Sequence, residues 1–350
     1  MRHMPRRKKL SKLIRVQSPT RVDLAGGTLD MWPLYTFTGG ALTINVAIDI
    51  WTSAEISEIK DSTEVIIESP DLGKKWKFSQ FEDLLKSDDR GLHFYQCILL
   101  QFTEYFPRRV TGFHLKTSSQ SPIGGGLGGS SSLTISCLKV LHSFLEIPIT
   151  DVHRLVHLAH NIEAEMLRTP TGTQDYYPAV SSGLNFLTYD YNQIHQQVQS
   201  VDKTPLAENF LLVYTGRSHH SGLNNFEVLK AAVSGDQKVL SALRQIKDIA
   251  LKMQTALQKE QWSELPGLFR QEYAARLQLT PAFTSPEIEK LEQICLAAGA
   301  LAVKICGAGG GGCVLVWVPP DRRNEVIAAC QKEKFQCLHA KPVSSLKAEM

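Results

Sequence analysis

Apolar residues recur at three- and four-residue steps along much of the chain, a period typical of amphipathic helices. One such stretch runs from Leu133 to Leu145, with Ser130 to Ser132 in its predicted first turn. Asp151 precedes a second stretch as a predicted N-cap, and Gly299 follows a later one as a predicted C-cap. Together these stretches predict helices over residues 92–106, 130–145, 151–168, 224–233, 237–258, 262–279, 286–298 and 321–332.

Alternating and β-branched stretches predict strands between these helices. Residues 41–56 predict one long strand or a hairpin, and residues 14–24 predict two short strands joined through Ser18-Pro19. Residues 300–320 predict a strand, a turn with five glycines and a second strand. Further strands are predicted over residues 63–68, 111–117, 183–201, 209–216 and 335–340. A strand-rich beginning, a helix-rich middle and a strand–helix–strand end indicate an α+β fold with two lobes.

The composition is that of an ordinary soluble globular protein, with 350 residues, 43% of them hydrophobic and 21% charged. Apolar residues never continue for the ~20 positions that a membrane helix needs, so we expect no membrane association. The seven cysteines are scattered and lack a C-x-x-C pair. We therefore expect reduced thiols and a cytoplasmic protein. As its assembly we expect a monomer or homodimer.

The net charge of +3 is concentrated at the amino terminus. Residues 1–15 carry seven of the 38 Lys and Arg residues, so the other 335 residues carry 31 basic against 35 acidic side chains. The basic tail, residues 1–13, could contact nucleic acid or anionic lipid or serve in targeting. We predict instead a solvated, disordered extension without a nucleic-acid partner, because terminal residues are usually loose unless they are tied down.

The segment S-P-I-G-G-G-L-G-G-S-S-S (121–132) precedes a predicted helix and predicts an anion-binding loop. It lacks the lysine of a Walker A loop. Gly124, Gly126 and Gly129 match G-x-G-x-x-G formally, but the preceding strand is six residues away, which is the wrong context for a dinucleotide site. A third pattern, P-x-x-x-G-L-G-[G/S]-S-S, places a hydroxyl at the end of the phosphate cradle.

This third pattern resembles the phosphate loop of the GHMP kinases, the family of galactokinase, homoserine kinase, mevalonate kinase and phosphomevalonate kinase. Three other segments resemble the family in the same order, so that the likeness spans residues 15 to about 320. These segments are R-V-D-L-A-G-G-T-L-D (21–30), I-E-A-E-M-L-R-T-P-T-G-T-Q-D-Y-Y (162–177) and K-I-C-G-A-G-G-G-G-C-V-L (304–315). The branch most similar to them contains heptose 7-phosphate kinases and fucokinases, through A-G-G-T-L-D, G-T-Q-D-Y and G-A-G-G-G-G-C with V-P-P-D-R-R.

The resemblance implies a two-lobed fold with a ribosomal S5 domain 2-like N-terminal lobe (14–200) and a ferredoxin-like C-terminal lobe (201–350). It also implies transfer of the γ-phosphoryl group of ATP, with Mg²⁺, to a hydroxyl of a sugar or sugar phosphate. The anomeric hydroxyl of a heptose 7-phosphate is one candidate acceptor. A mevalonate- or phosphomevalonate-type kinase is the alternative enzyme, although P-x-G-x-x-D differs from its P-x-G-x-D. A catalytically silent sugar- or nucleotide-binding relative is the second alternative.

The resemblance assigns roles residue by residue. Asp175 matches the aspartate that contacts the reacting hydroxyl as base or positioning group, and Arg21 matches its basic neighbour. Ser130 and Glu163 match Mg²⁺ ligands, with Glu165 as the fallback for Glu163. The implied nucleotide-binding residues are Pro122, Gly124, Gly125, Gly126, Leu127, Gly128, Gly129, Ser130 and Ser131. The implied acceptor-binding residues are Asp30, Gly27, Thr28, Gly309 and Gly310.

Two further groups of side chains have weaker support. His153, His157 and His160 form one stripe of a predicted helix and could ligate zinc, but we expect ordinary helix-edge histidines. A phosphorylated acceptor would need extra cations, for which Arg168, Arg217 and Lys304 are candidates. For all three we expect solvated surface positions instead.

Overall fold

The computed structural model describes residues 13–106, 112–218 and 221–344, which form two compact units. The first unit contains residues 13–17, 53–118 and 136–150, and the second contains residues 18–52, 119–135 and 151–344, each within the described ranges. Residues 1–12 of the predicted basic tail lie outside these ranges, and Leu13 begins the first strand.

Strands and helices alternate along the chain largely as the sequence predicts. The strands are β1 (Leu13–Ala25), β2 (Ala41–Ile59), β3 (Val65–Ser69), β4 (Lys74–Phe78), β5 (Gly112–Ser119), β6 (Leu184–Tyr189), β7 (Ile194–Gln199), β8 (Phe210–Tyr214), β9 (Ala302–Ile305), β10 (Cys313–Trp317) and β11 (Gln336–Leu338). The helices are α1 (Leu34–Phe37), α2 (Phe81–Leu85), α3 (His93–Leu100), α4 (Gly129–Leu145), α5 (Val152–Leu167), α6 (Tyr176–Ser181), α7 (Leu206–Asn209), α8 (Ser221–Val233), α9 (Gln237–Gln258), α10 (Leu265–Leu277), α11 (Pro286–Ala297) and α12 (Arg323–Lys332).

The first unit is built on paired strands with an aromatic core. Strand β3 pairs antiparallel with β4 and parallel with β5. Phe113 of β5 stacks on Phe106 with ring centroids 5.1 Å apart and also contacts Phe144 of α4. All three residues are at most 6% exposed, so this aromatic cluster is one apolar contact between α4 and the strands of the unit.

The second unit contains two sets of paired strands and most of the helices. Strand β6 pairs antiparallel with the first half of β2 and with β7. The described residues also form a sheet in the order β11-β8-β10-β9, in which every pair is antiparallel. Helix α10 packs against both α9 and β9. This packing places one face of α10 against β9, the strand that precedes the turn with five glycines. We call this turn, residues 307–312, the late glycine turn.

Strand β1 is continuous, so the predicted break at Ser18-Pro19 is wrong. Proline cannot donate a backbone hydrogen bond, but its fixed φ is compatible with an extended strand. The carbonyls at this point are satisfied by side chains. Ser132 Oγ donates its one proton to the carbonyl of Pro19 (2.9 Å) and lies 3.1 Å from that of Ser18, to which Thr52 Oγ1 donates at 3.3 Å. Side-chain hydroxyls thus satisfy these carbonyls, and the strand continues through the proline.

The predicted N-cap of α5 is confirmed. Asp151 caps α5 by accepting a hydrogen bond from His153 N at 2.8 Å. The seven cysteines are free thiols, and all except Cys337 are buried. Across the described residues, no helix is both long enough and apolar enough to cross a bilayer.

The N-cap of α9 allows a direct test of local stability. Asp236 Oδ1 accepts hydrogen bonds from Lys238 N (2.9 Å) and Val239 N (3.1 Å). We expect Asp236→Ala to lower the free energy of unfolding by about 1 kcal/mol, because two first-turn N–H groups lose their acceptor. Asp248→Ala, at an exposed position in the same helix, is the control and should change it by less than about 0.5 kcal/mol. Equal effects in urea denaturation would contradict the capping role.

Candidate active site

The loop before α4 has the backbone of an anion cradle. It lies in the second unit, as do all the residues discussed below. Gly124, Gly126 and Gly128 adopt φ angles of 64°, 71° and 68°, a left-handed conformation that favours glycine. Helix α4 begins directly afterwards at Gly129, and the N–H groups of a first helical turn have no intrahelical acceptor. The loop and helix together can therefore bind a phosphate group through backbone N–H groups.

The late glycine turn packs against this loop. A Cβ on Gly307 would lie 2.9 Å from Gly126 Cα, so a side chain has no room there. Cys313 N donates to the carbonyl of Gly125 at 2.8 Å. Gly309 instead faces another segment, because a Cβ at this position would lie 2.2 Å from the carbonyl oxygen of Phe283. The predicted acceptor-binding role of Gly309 and Gly310 stays a prediction.

Arg21 and Asp175 form an ion pair at the loop, although they are far apart in sequence. Arg21 Nε and Nη2 lie 2.8 and 2.7 Å from the same oxygen, Asp175 Oδ1. The Asp175 side chain is 23% exposed, whereas that of Arg21 is 6% exposed. A Cβ on Gly128 would lie 3.2 Å from Asp175 Oδ2. The carboxylate therefore lies against the phosphate loop, with its second oxygen on the side of Gly128.

Arg21 also connects the loop to the late glycine turn. Its Nη1 donates to the carbonyls of Gly126 (2.6 Å) and Cys306 (2.9 Å), and its backbone N donates to Leu127 (3.0 Å). Burial lowers the pKa of Arg21, but the charges of Asp175 and Asp23 more than offset this, so the pKa lies above its ordinary value. Arg21 is therefore always charged, and its contacts hold the Asp175 carboxylate in place.

Glu163 is a buried carboxylate beside the first turn of α4. Its Oε2 accepts hydrogen bonds from Ser131 Oγ at 2.7 Å and Tyr176 OH at 2.5 Å. Burial raises the pKa of Glu163, and hydrogen bonds from Tyr176, Ser131 and Ser130 oppose that shift. A cation beside Glu163 would stabilise the ionised form, because the carboxylate is only 5% exposed.

The predicted magnesium ligands fit the preferences of that ion. Ser130 is exposed, its side chain hydrogen bonds to Glu163, and both residues offer oxygen atoms. Mg²⁺ prefers oxygen ligands and retains several waters, so one carboxylate and one hydroxyl suffice beside a nucleotide. Glu165, the fallback, is exposed on the same helix. Burial and the contact with Ser130 therefore favour Glu163 as the ligand.

Asp30 lies close to the residue that precedes Asp175. Its Oδ2 accepts from the backbone N of Gln174 at 3.0 Å, and its Oδ1 accepts from Gln174 Nε2 at 3.4 Å. A Cβ on Gly172 would lie 1.9 Å from Asp30 Oδ2, which explains the glycine of P-T-G-T-Q-D. Burial and then the charge of Asp175 raise the pKa of Asp30 to about 6. The charge of Asp175 therefore acts on the carboxylate of Asp30.

Gly27 and Thr28 contact a buried charged group. Arg276 Nη1 lies 2.8 Å from Asp23 Oδ2, and Arg276 Nη2 donates to Thr28 Oγ1 at 3.1 Å. A Cβ on Gly27 would lie 2.3 Å from Asp23 Oδ2. Thr28 is 5% exposed and has a φ of 79°, which costs a β-branched residue about 1–3 kcal/mol. The acceptor-binding role of these two residues stays a prediction.

Four charged residues, Asp23, Glu272, Arg276 and Lys304, form what we call the ionic cluster. Each is at most 2% exposed. Lys304 Nζ donates to the carbonyl of Asp23 at 2.8 Å and lies 3.4 Å from both Asp23 Oδ2 and Glu272 Oε2. The expectation of a solvated Lys304 is therefore wrong: its charge is paired inside the protein, and the cluster is neutral overall.

The other weakly supported side chains have ordinary surroundings. His160 Nε2 hydrogen bonds to the carbonyl of Thr171 at 3.0 Å, and His153 Nδ1 to Tyr177 OH at 3.0 Å. Within the described ranges, no group of three or more His, Cys, Asp or Glu side chains could hold a metal ion. Arg217 pairs with Glu287 at 3.3 Å and has a 59% exposed side chain.

Sequence reasoning missed three contributors to this site. Tyr176 donates to Glu163, Gln174 donates to Asp30, and Arg276 holds Thr28. The first two directly flank Asp175 in the sequence, and this adjacency is the signal that could have indicated them. Arg276 carries no such signal, because it lies with Glu272 at the i, i+4 spacing of an ordinary exposed helical ion pair.

Two family models match the chain. The N-terminal domain of GHMP kinases matches residues 93–183, and the C-terminal domain of GHMP kinases matches residues 253–336, together half of the chain. The chain belongs to the GHMP kinase family. The predicted α+β GHMP kinase fold and the phosphotransferase class are thereby confirmed, and use of ATP is a property of the family.

Individual relatives of this GHMP kinase differ in substrate. A D-glycero-alpha-D-manno-heptose 7-phosphate kinase of Campylobacter jejuni is 28% identical over 92% of this chain and 94% of its own length. A mevalonate kinase of Methanocaldococcus jannaschii is 22% identical over 92% of this chain and 98% of its own. The solved structure of a D-glycero-D-manno-heptose 1-phosphate kinase of Bacteroides thetaiotaomicron has a TM-score of 0.75 at 21% identity, over 95% of this chain and 97% of that one.

Proposed function

We propose that this GHMP kinase transfers the γ-phosphoryl group of ATP to a hydroxyl of a sugar or sugar phosphate. The observation that carries the proposal is the position of Asp175, which is held by Arg21 against Gly128 of the phosphate loop. An acceptor hydroxyl beside Asp175 would therefore lie next to bound phosphates, as in-line transfer requires. The lobe bounds of 14–200 and 201–350 remain part of the proposal.

In this proposal the residues divide into a nucleotide side and an acceptor side. The loop 122–131 binds the terminal phosphates, while Ser130 and Glu163 would hold Mg²⁺. When bound, Mg²⁺ supplies positive charge that offsets the charge on the phosphoryl oxygens. Asp175 orients the acceptor hydroxyl and accepts its proton. Because Arg21 fixes the carboxylate through two contacts to one of its oxygens, we assign Asp175 the orienting role first and the proton-accepting role second.

Asp30 supports a polyol as the acceptor. A carboxylate can accept hydrogen bonds from two neighbouring sugar hydroxyls, and Asp30 bonds to Gln174, the residue directly before Asp175. The heptose 7-phosphate kinase relative of Campylobacter jejuni agrees with this choice. The mevalonate kinase relative keeps the alternative acceptor open. The anomeric hydroxyl of a heptose phosphate is our first candidate for the site of transfer.

An ADP-release assay with a panel of acceptors tests the proposed function. The panel contains hexoses, heptose phosphates, mevalonate and homoserine, each with ATP and Mg²⁺. We expect turnover with a sugar or sugar phosphate and none with mevalonate. Turnover with mevalonate alone would establish the alternative enzyme. Nucleotide binding that is independent of Mg²⁺, without turnover on any acceptor, would establish the silent relative.

The raised pKa of Asp30 gives a pH prediction. Because burial and Asp175 raise the pKa of Asp30 to about 6, the ionised fraction of this carboxylate increases as the pH rises through that value. We expect kcat/KM for the acceptor to rise over the same range, since kcat/KM reports the ionisation of the free enzyme. Asp30→Asn should remove this limb of the profile. A phosphate group on the acceptor also titrates near this pH, but its contribution would persist in the variant.

A further inference from the structure

Burial of the four charged side chains of the ionic cluster costs free energy, and the roles in binding and catalysis described above do not account for that cost. Asp23, Glu272, Arg276 and Lys304 are at most 2% exposed. Their hydrogen bonding is also incomplete, since Asp23 Oδ1 and Arg276 Nε have no partner among the residues that the structure describes. Buried ion pairs are often no more stabilising than apolar residues of the same volume. Stability alone therefore gives a poor account of the cluster.

Both cations of the cluster bond to the segment between Arg21 and Asp30. Lys304 of β9 donates to the carbonyl of Asp23 at 2.8 Å. Arg276 of α10 holds the Asp23 carboxylate and donates to Thr28 Oγ1 at 3.1 Å. The segment that connects the proposed catalytic arginine to the proposed acceptor carboxylate is thus attached to the packed pair α10 and β9.

Thr28 adopts a conformation that needs such an attachment. Its φ of 79° is unfavourable for a β-branched residue, and the hydrogen bond from Arg276 helps to stabilise this conformation. Around this residue, Leu29 N donates to Gly26 at 3.2 Å and Met31 N donates to Thr28 at 3.3 Å. The two turns that these bonds close span residues 26–31 and include Asp30. Release of Thr28 would therefore loosen the turn and displace Asp30.

We propose that the ionic cluster positions the acceptor side of the site, with Arg276 fixing the turn 26–31 through the hydroxyl of Thr28. The cluster acts through the backbone and does not touch the acceptor. This inference rests on the proposed kinase function for its effect on catalysis. Its effect on the turn does not depend on that function, because the turn and the cluster exist without any substrate.

Thr28→Val and Thr28→Ser form a matched pair for the test. Valine keeps the β-branched shape but removes the hydroxyl that Arg276 holds, whereas serine keeps that hydroxyl. In the substrate-free protein, we expect Thr28→Val to speed hydrogen exchange of the Leu29 and Met31 amides by about tenfold. Thr28→Ser should retain most of their protection. The Ala47 amide, which donates to Gly183 at 2.9 Å, is the internal reference and should exchange at the same rate in all forms.

Kinetics provide the second measurement. We expect Thr28→Val to lower kcat/KM for the acceptor by about 10- to 100-fold, while KM for ATP stays within about twofold. Arg276→Lys keeps the charge but loses the forked guanidinium, so it should act in the same direction. Arg244→Lys, at an exposed position in α9, is the control. If Arg276→Lys fails to fold, the Thr28 pair still decides the question.

Unchanged hydrogen exchange in Thr28→Val would overturn the proposal, whatever the kinetics show. Unchanged exchange of Leu29 and Met31 in Thr28→Val would mean that Arg276 does not hold the turn. If kcat/KM falls in that variant while exchange is unchanged, Thr28 contacts the acceptor directly instead. Failure of every acceptor in the ADP-release assay would refute the kinase function alone, because the exchange comparison uses no substrate.

Discussion

Asp175→Asn is expected to lower kcat by about 10²-fold or more, while the dissociation constant of ATP changes by less than about threefold. The asparagine can keep its oxygen towards Arg21, which donates at 2.8 Å through Nε and lies 2.7 Å away through Nη2. What it loses is the second carboxylate oxygen on the side of Gly128. The amide nitrogen that replaces this oxygen can neither accept a proton nor accept a hydrogen bond from an acceptor hydroxyl.

Single-turnover kinetics measure the rate of phosphoryl transfer, and calorimetry measures the dissociation constant of ATP. Thermal unfolding is the control, because a midpoint close to that of the unchanged protein would show that the Arg21 contact survives. If kcat is retained in a folded Asp175→Asn protein, the assignment of Asp175 to the acceptor side is wrong. A second variant, Asp175→Glu, separates basicity from orientation. This variant keeps the charge and moves it by one methylene, and we expect it to lose about as much activity as Asp175→Asn.

Glu163→Gln is expected to lower kcat by about 10²-fold and to raise the Mg²⁺ concentration needed for half-maximal activity by about tenfold. The substituted amide can still accept from Ser131 and Tyr176 through its oxygen, so the contacts at 2.7 and 2.5 Å can persist. The negative charge that would balance the metal ion is lost. Burial raises the pKa of Glu163, and a bound cation should lower it again.

Glu165→Gln is the matched control for this prediction. Glu165 lies on the same helix two residues later and is exposed, so its variant should keep its Mg²⁺ dependence within about twofold. A titration of activity against Mg²⁺ at saturating ATP compares the two variants. The reverse pattern, with loss in Glu165→Gln and none in Glu163→Gln, would transfer the metal-ligand role to the fallback residue.

The sequence predicts those parts of the site that depend on local chemistry. The phosphate loop is an example, because glycine and serine spacing before a helix determine both the left-handed turns and the first helical turn. The pairing of Arg21 with Asp175 is different, since the two residues are 154 positions apart. Composition and periodicity say nothing about such a contact, and only the resemblance to a family placed them together.

The errors come from contacts that are made after the elements form. Ser18-Pro19 is typical of a break, but hydroxyls from β2 and α4 satisfy its carbonyls and the strand continues. Lys304 is typical of a surface position, yet Asp23 and Glu272 pair with it inside the protein. In each case a partner distant in sequence reverses the local preference, so that local patterns alone could not have predicted the result.

The contact between Gly307 and Gly126 has a genetic consequence. Gly307 lies against the bare backbone of Gly126, and Cys313 N donates to the carbonyl of Gly125. A side chain introduced into one loop can be accommodated only if the opposite loop moves. In a selection for growth dependent on this enzyme, we expect intragenic suppressors of Gly307→Ala to cluster in the loop 122–129. Related chains should accordingly inherit the two glycine segments as a linked pair.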